Sequence, residues 1–113
     1  VKDTYGHDIG DEILINLAKI IKYTVRKNDS VSRWGGEEFM ITLQSTDINH
    51  AEKLAEKIRV ATERYEFNVP EQVTVSLGVT EYRSNEDKDS FTKRVDEALY
   101  EAKNSGRNRV VVK

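Results

Sequence analysis

The chain has 113 residues, 37% hydrophobic and 34% charged, which suits one globular domain with a single core. Eighteen basic and twenty acidic residues are interspersed and leave a net charge of −2, so no long-range positive field gathers DNA or RNA, and an anionic ligand needs a local basic site. With no cysteine and two scattered histidines, disulfide staples, thiolate metal sites and a structural zinc are not expected. No apolar run approaches the roughly 20 residues of a membrane span and no signal peptide opens the chain, which fits a reducing, cytoplasmic setting. The first residue is Val1, with no lead-in, as in a piece of something longer.

Ile9, Ile13, Leu14, Leu17, Ile21 and Val25 recur at three- and four-residue intervals, which predicts a helix over about 9 to 27. Val31 to Trp34, Gly35-Gly36 and Glu37 to Gln44 read as a hairpin with a two-residue glycine turn. Asp47 is placed to cap a second helix that carries Ile48, Ala51, Leu54, Ala55, Ile58, Ala61 and Tyr65 on its apolar face, with Pro70 beyond its end. Val73, Val75, Leu77 and Val79 alternate with polar residues or glycine and predict a strand, followed by a polar loop over 83–89. Phe91, Val95, Ala98, Leu99 and Ala102 mark a third helix stopping near Ser105-Gly106, and residues 110–112 can form a last strand.

This order predicts an α+β fold, a ferredoxin-like or nucleotidyl-cyclase-like sandwich of helices on a mixed, mainly antiparallel sheet, as a single domain over 1–113. Its opening strand is missing. In such a fold the first and third strands are central neighbours, so the gap leaves backbone donors and acceptors that a stable sheet must pair. The expectation is a chain of marginal stability, or one that borrows a strand from a neighbour.

In RWGGEEFMITL, residues 33–43, paired acids follow two glycines. A two-residue turn sets Trp34 opposite Glu37 and Arg33 opposite Glu38. Glu38 then pairs across the strand with Arg33, while Glu37 has no local partner. Two such acids alone read as a solvated hairpin tip; the functional alternative is a hard divalent cation on carboxylate oxygen, with bare glycines admitting a nucleotide. On their own, Lys103 and Arg107 read as helix-end cations and Asp11 as a first-turn acid, both favoured by the helix dipole. Arg26 and Asp29 read as a helix-end arginine and a turn aspartate.

Five segments decide between these readings. RWGGEEF resembles the signature of the GGDEF family of diguanylate cyclases in its GGEEF form. Residues 3–11, DTYGHDIGD, resemble the family's ND-x-x-GH-x-x-GD segment, and residues 26–29, RKND, its RxxD motif. VSLGV at 75–79 resembles its SxG strand, and ALYEAKNSGRN at 98–108 its ALYxAKxxGRN close. The resemblance runs over nearly the whole chain, and covers roughly the C-terminal two thirds of the family domain, which opens with the missing strand and its metal-binding aspartate.

The resemblance implies condensation of two GTP into cyclic di-GMP and two pyrophosphates in a homodimer, behind an upstream sensory or receiver domain. It implies Glu37 as the ligand of Mg²⁺ or Mn²⁺, Glu38 as a second essential acid, and Lys103 and Arg107 as the cations holding terminal phosphates. Asp11 corresponds to the acceptor for guanine donors. Lys2 stands where the family has the asparagine that also reads guanine, and lysine offers donors only. Gly35 and Gly36 give the nucleotide room. Arg26 and Asp29 correspond to an inhibitory site for cyclic di-GMP, to which Lys57 or Arg59 could add a cation. His7 and Ser76 also match family positions and are assigned structural roles. The 113-residue chain alone is expected to be inactive; the alternative for the protein is a catalytically weakened cyclic di-GMP receptor or regulatory module.

Overall fold

The computed structural model describes residues 7–33 and 38–113, with side chains from residue 10 onward except that of Arg33. Its elements are α1 (His7–Thr24), β1 (Ser30–Arg33), β2 (Phe39–Thr42), α2 (Ile48–Arg64), β3 (Leu77–Val79), α3 (Lys88–Asn104) and β4 (Val110–Val112). β1 and β2 pair antiparallel, β3 and β4 pair parallel, and the two pairs form separate two-stranded sheets.

The helix boundaries have local causes. α1 ends three residues before the expected 27 because the Arg26 amide donates to the Asp29 carboxylate at 2.8 Å rather than continuing the helical ladder. Asp47 caps α2 by accepting from the His50 amide at 2.9 Å, and Asp87 caps α3 by accepting from the Ser90 amide at 2.7 Å. In each case the captured amide is the main cause holding that carboxylate below its ordinary range. α3 ends at Asn104 with Ser105 as its C-cap, and Gly106 at φ 129° turns the chain away.

Leu17 and Ile21 of α1 pack with Ile58 of α2 against Val31, Phe39 and Ile41 of the hairpin and Val75 and Leu77 at β3. Along β3 successive residues face opposite sides, so Gly78 points away from that core. There it meets α3, and a Cβ at Gly78 would lie 2.7 Å from the Val95 carbonyl oxygen and 2.9 Å from the Ala98 carbonyl carbon. The β3–β4 pair is therefore sandwiched between α2, with Leu17 and Ile21 of α1, on one side and α3 on the other. Ala98 and Ala102 of α3 are fully buried there.

Between β2 and β3 runs a cleft that holds no strand among the described residues. One section, of about 320 Å³, is bounded by Phe39 and Met40 on one side and by residues 73–78 on the other. A second section, of about 650 Å³, shares Met40, Ile41, Ile58, Leu77, Gly78 and Val95 with it and continues toward Thr80 and Tyr82. Its position matches the gap that the element order predicts. It also explains why β3 is shorter than expected: residues 73–76 border the cleft and have no ladder partner among the described residues, so the regular strand is confined to 77–79, where β4 pairs with it.

Candidate functional site

The hairpin register differs from expectation. Arg33 pairs with Phe39, Ser32 with Met40, Val31 with Ile41 and Ser30 with Thr42. Residues 34–38 lie between the paired ends, an odd count, whereas a two-residue turn with full pairing requires an even one. Glu38 is thus not opposite Arg33, and the expected Glu38–Arg33 pair is corrected. A one-residue slip exchanges the two faces of a strand, so register decides which partner an acid meets. Glu38 instead faces Lys103 of α3, its carboxylate 3.7 Å from the ammonium, with both side chains partly exposed.

Glu38, Lys103 and Arg107 all line the same section of the cleft, together with Gly10 of α1. Three groups expected to act together, from a hairpin, a helix and the turn after it, therefore share one place. The reading of both cations as helix-end residues needs correction for Arg107. α3 ends at Asn104, so Arg107 is not one helical turn beyond Lys103; it lies past the helix at φ 62°. Its amide donates to the Ala102 carbonyl at 3.0 Å, folding the turn back over the helix end. Arg107 and Asn108 adopt positive φ in succession; asparagine tolerates this region, whereas Arg107 does so at a cost of about 1–2 kcal/mol that surrounding contacts must offset.

Asp11 is an exposed residue of α1, immediately after the cleft-lining Gly10. Lys2, Gly35, Gly36 and Glu37 lie outside the described residues. So does the His7 side chain. Ser76 takes the structural part expected of it, its hydroxyl accepting from the Asn108 amide at 3.2 Å.

Arg26 and Asp29 form a second constellation. The Arg26 Nε and Nη2 donate to the two Asp29 oxygens at 3.3 and 3.2 Å, and Nη2 also donates to the Gln44 carbonyl at 2.6 Å and to the Thr46 hydroxyl. The Asp29 side chain is completely covered whereas that of Arg26 is 56% exposed. Donation from the Arg26 side chain keeps the Asp29 carboxyl below the ordinary carboxylate range despite desolvation, helped by the amides of Arg26 and Gln44. Asp29 therefore orients Arg26 and joins the end of α1 to the segment after β2.

Of the two extra cations considered for that site, Lys57 is exposed on α2. Arg59 is committed elsewhere, which corrects its candidacy: its side chain is 17% exposed and donates to Glu56 at 2.6 and 2.8 Å and to Asn108 at 3.0 Å. Pairing with Glu56 raises the Arg59 pKa above its already high ordinary value and lowers that of Glu56. The spacing Glu56, Arg59, Glu63 along α2 was the available signal for this network.

Among the described residues no cluster of three or more acids or histidines stands ready for a metal ion, and no helix is long and apolar enough to cross a membrane. A hard cation can bind through one or two carboxylates completed by substrate phosphates, and the acid at Glu38 beside two phosphate-suited cations is compatible with that chemistry.

Comparison with known proteins agrees with the geometry. Residues 1–109 match the family described as "Diguanylate cyclase, GGDEF domain". The chain is 48% identical to diguanylate cyclase DgcM of Escherichia coli K12 over 111 residues, covering 98% of this chain and 27% of that protein. It is 40% identical to the response regulator PleD of Caulobacter vibrioides over 119 residues, covering 100% of this chain and 26% of the relative. The chain thus spans about a quarter of the length of these curated relatives. Its fold superposes on the active GGEEF domain of a diguanylate cyclase from Vibrio cholerae with a TM-score of 0.90 at 37% identity, covering 98% of this chain and 72% of that one. The GGDEF domain of DgcB from Caulobacter crescentus, solved in complex with c-di-GMP, gives a TM-score of 0.92 at 31% identity, covering 98% of this chain and 68% of that one. The family match over residues 1–109, the identities and the shared fold together show that the chain belongs to the GGDEF domain family of diguanylate cyclases.

Proposed function

We propose that this segment is the catalytic part of a diguanylate cyclase that condenses two GTP into cyclic di-GMP and two pyrophosphates. The observation that carries the reading is the meeting of Glu38, Lys103 and Arg107 at one section of the cleft. Lys103, a compact ammonium, and Arg107, a planar fork, are suited to the terminal phosphates of one GTP. When phosphate enters, the Lys103–Glu38 pair at 3.7 Å opens and Lys103 turns to the stronger anion. Asp11, as a carboxylate, accepts from the guanine N1–H and amino group. Each subunit of a homodimer presents one GTP, so that the 3′-oxygen of one forms a bond to the α-phosphorus of the other as the bond to pyrophosphate breaks.

Mg²⁺ or Mn²⁺, when bound, neutralises charge on the phosphates and the leaving pyrophosphate. Glu37 is the residue that would hold it, with Glu38 beside it. A strand from upstream sequence, carrying a further aspartate, would fill the cleft between β2 and β3 and complete the ligand set. The Arg26 guanidinium, held at its inner edge by Asp29, offers its exposed part to a cyclic di-GMP that restrains the enzyme.

The test is product analysis of the full-length protein with GTP and Mg²⁺. Formation of cyclic di-GMP and pyrophosphate in a one-to-two ratio supports the reading. Tight calorimetric binding of cyclic di-GMP without GTP turnover would replace it by a receptor, the outcome that Lys2 in place of asparagine favours. The 113-residue chain alone should show no synthesis; ordinary rates from it would contradict the requirement for the upstream strand and its aspartate.

A further inference from the structure

Gly106, Arg107 and Asn108 have φ values of 129°, 62° and 47° in succession. Glycine adopts this region freely and asparagine tolerates it, but arginine does not, so the turn that places Arg107 depends on contacts from outside it. Within the turn and its flanks, the Arg107 amide is bonded to Ala102 and its carbonyl accepts from the Arg109 Nε at 3.1 Å. From distant parts of the chain, the Leu77 amide donates to the Arg109 carbonyl at 2.9 Å, and three further contacts converge on Asn108. Its backbone amide donates to Ser76 Oγ at 3.2 Å. Its side-chain Oδ1 accepts from Arg59 Nη1 at 3.0 Å, and its Nδ2 donates to Glu63 Oε2 at 2.7 Å.

A cation thus engages the acceptor end of the amide and an anion its donor end, both from α2. Aspartate would lose the donor, leucine both functions. Arg59 is fixed in turn by Glu56, and lies 3.7 Å from Glu63 as well. Ser76 borders the cleft, whereas Arg59, Glu63 and Asn108 do not line it. What they hold is the turn, and the side chain that the turn delivers to the cleft is Arg107.

We propose that Arg59 and Asn108 are positioning residues for Arg107: α2, through the Arg59–Asn108–Glu63 contacts, sets the left-handed turn that keeps the Arg107 guanidinium at the phosphate end of the site. The inference rests on the reading of Arg107 as a phosphate-binding cation. It makes affinity for the triphosphate depend on a helix that need not touch GTP.

Steady-state kinetics of the full-length protein tests it, with Arg107→Ala as the reference. Asn108→Gly permits the backbone angles but removes both side-chain contacts; Arg59→Lys keeps the charge but loses the fork. Each should raise KM for GTP by about fivefold or more with kcat within about twofold, as expected for lost ground-state binding. In an Arg107→Ala background neither change should raise KM further, because the effect passes through Arg107. A melting temperature close to the parent's identifies folded variants, and Arg59→Lys serves if Asn108→Gly fails to fold. If Arg107→Ala raises KM while Asn108→Gly and Arg59→Lys do not, or if their effects multiply with that of Arg107→Ala, the positioning role is overturned. If Arg107→Ala itself leaves KM unchanged, the phosphate reading fails instead, and the positioning role with it.

Discussion

The Lys103 ammonium and the Glu38 carboxylate lie 3.7 Å apart, 65 residues distant in sequence, and join the end of α3 to the start of β2. With the side chains 39% and 52% exposed, the pair contributes less than about 1 kcal/mol to stability. Lys103→Ala should therefore leave the melting temperature nearly unchanged. Its effect belongs to binding: a lost charged hydrogen bond of about 1.5–3 kcal/mol corresponds to a rise in KM for GTP of about 10- to 100-fold. Kinetics and a melting curve on the same variant separate the two; a large drop in stability with unchanged KM would make Lys103 a structural residue.

That pair also marks where sequence reasoning stopped. The residues of the site were legible because each sits in a motif whose order along the chain is distinctive. Helix starts at Asp47 and Asp87 are set by local hydrogen bonds; Asp47 could be read directly from its neighbours, whereas Asp87 fell within the segment expected to be a loop. Strand register is not local. Arg33 opposite Phe39 rather than Glu38 depends on an odd connection, and the partner of Glu38 comes from a helix far along the chain. The Arg59–Asn108 contact was not legible for the same reason, since the two residues are 49 apart in the chain. The missing strand, in contrast, followed from element order alone, and the cleft between β2 and β3 lies where it should.

Gly78 belongs to the SxG motif, and its role is steric. An added Cβ would meet the backbone of Leu99, Val95 and Ala98, none of which can yield without moving α3. Gly78→Ala should destabilise the domain by about 1–3 kcal/mol or more, read as a lowered denaturation midpoint. An unchanged midpoint would contradict the close approach of α3 to β3.

The loop before α3 is clamped by Arg94, which donates to Glu86 at 2.6 and 2.7 Å, to the Thr80 hydroxyl at 2.6 Å and to the Glu81 carbonyl at 2.8 Å. Donation from Arg94 lowers the Glu86 pKa from 4.5 to about 2. A folded-state pKa below the unfolded value means stability that is present above about pH 4.5 and is lost as pH falls toward 2. Glu86→Gln should lower the melting temperature at pH 7 and flatten its decline between these values. A variant whose acid sensitivity equals the parent's would show that the pair does not contribute.

Arg26 has a partly exposed side chain and a covered counter-ion. Arg26→Ala in the full-length protein should weaken inhibition by cyclic di-GMP by about tenfold or more while leaving KM for GTP within about twofold. Asp29→Asn, which keeps the shape but loses the charge that orients Arg26, should weaken inhibition less. Inhibition that persists unchanged in Arg26→Ala would remove this site from the regulation of the enzyme.

The central claim is that the acids after the two glycines serve nucleotide condensation. It is tested most directly by measuring cyclic di-GMP formation from GTP and Mg²⁺ by the full-length protein and by its Glu37→Ala variant. The account predicts synthesis by the parent and a loss of about 100-fold or more in the variant, with the melting temperature and cyclic di-GMP binding retained. Synthesis by the variant at the parent's rate, or none by the parent, would contradict it.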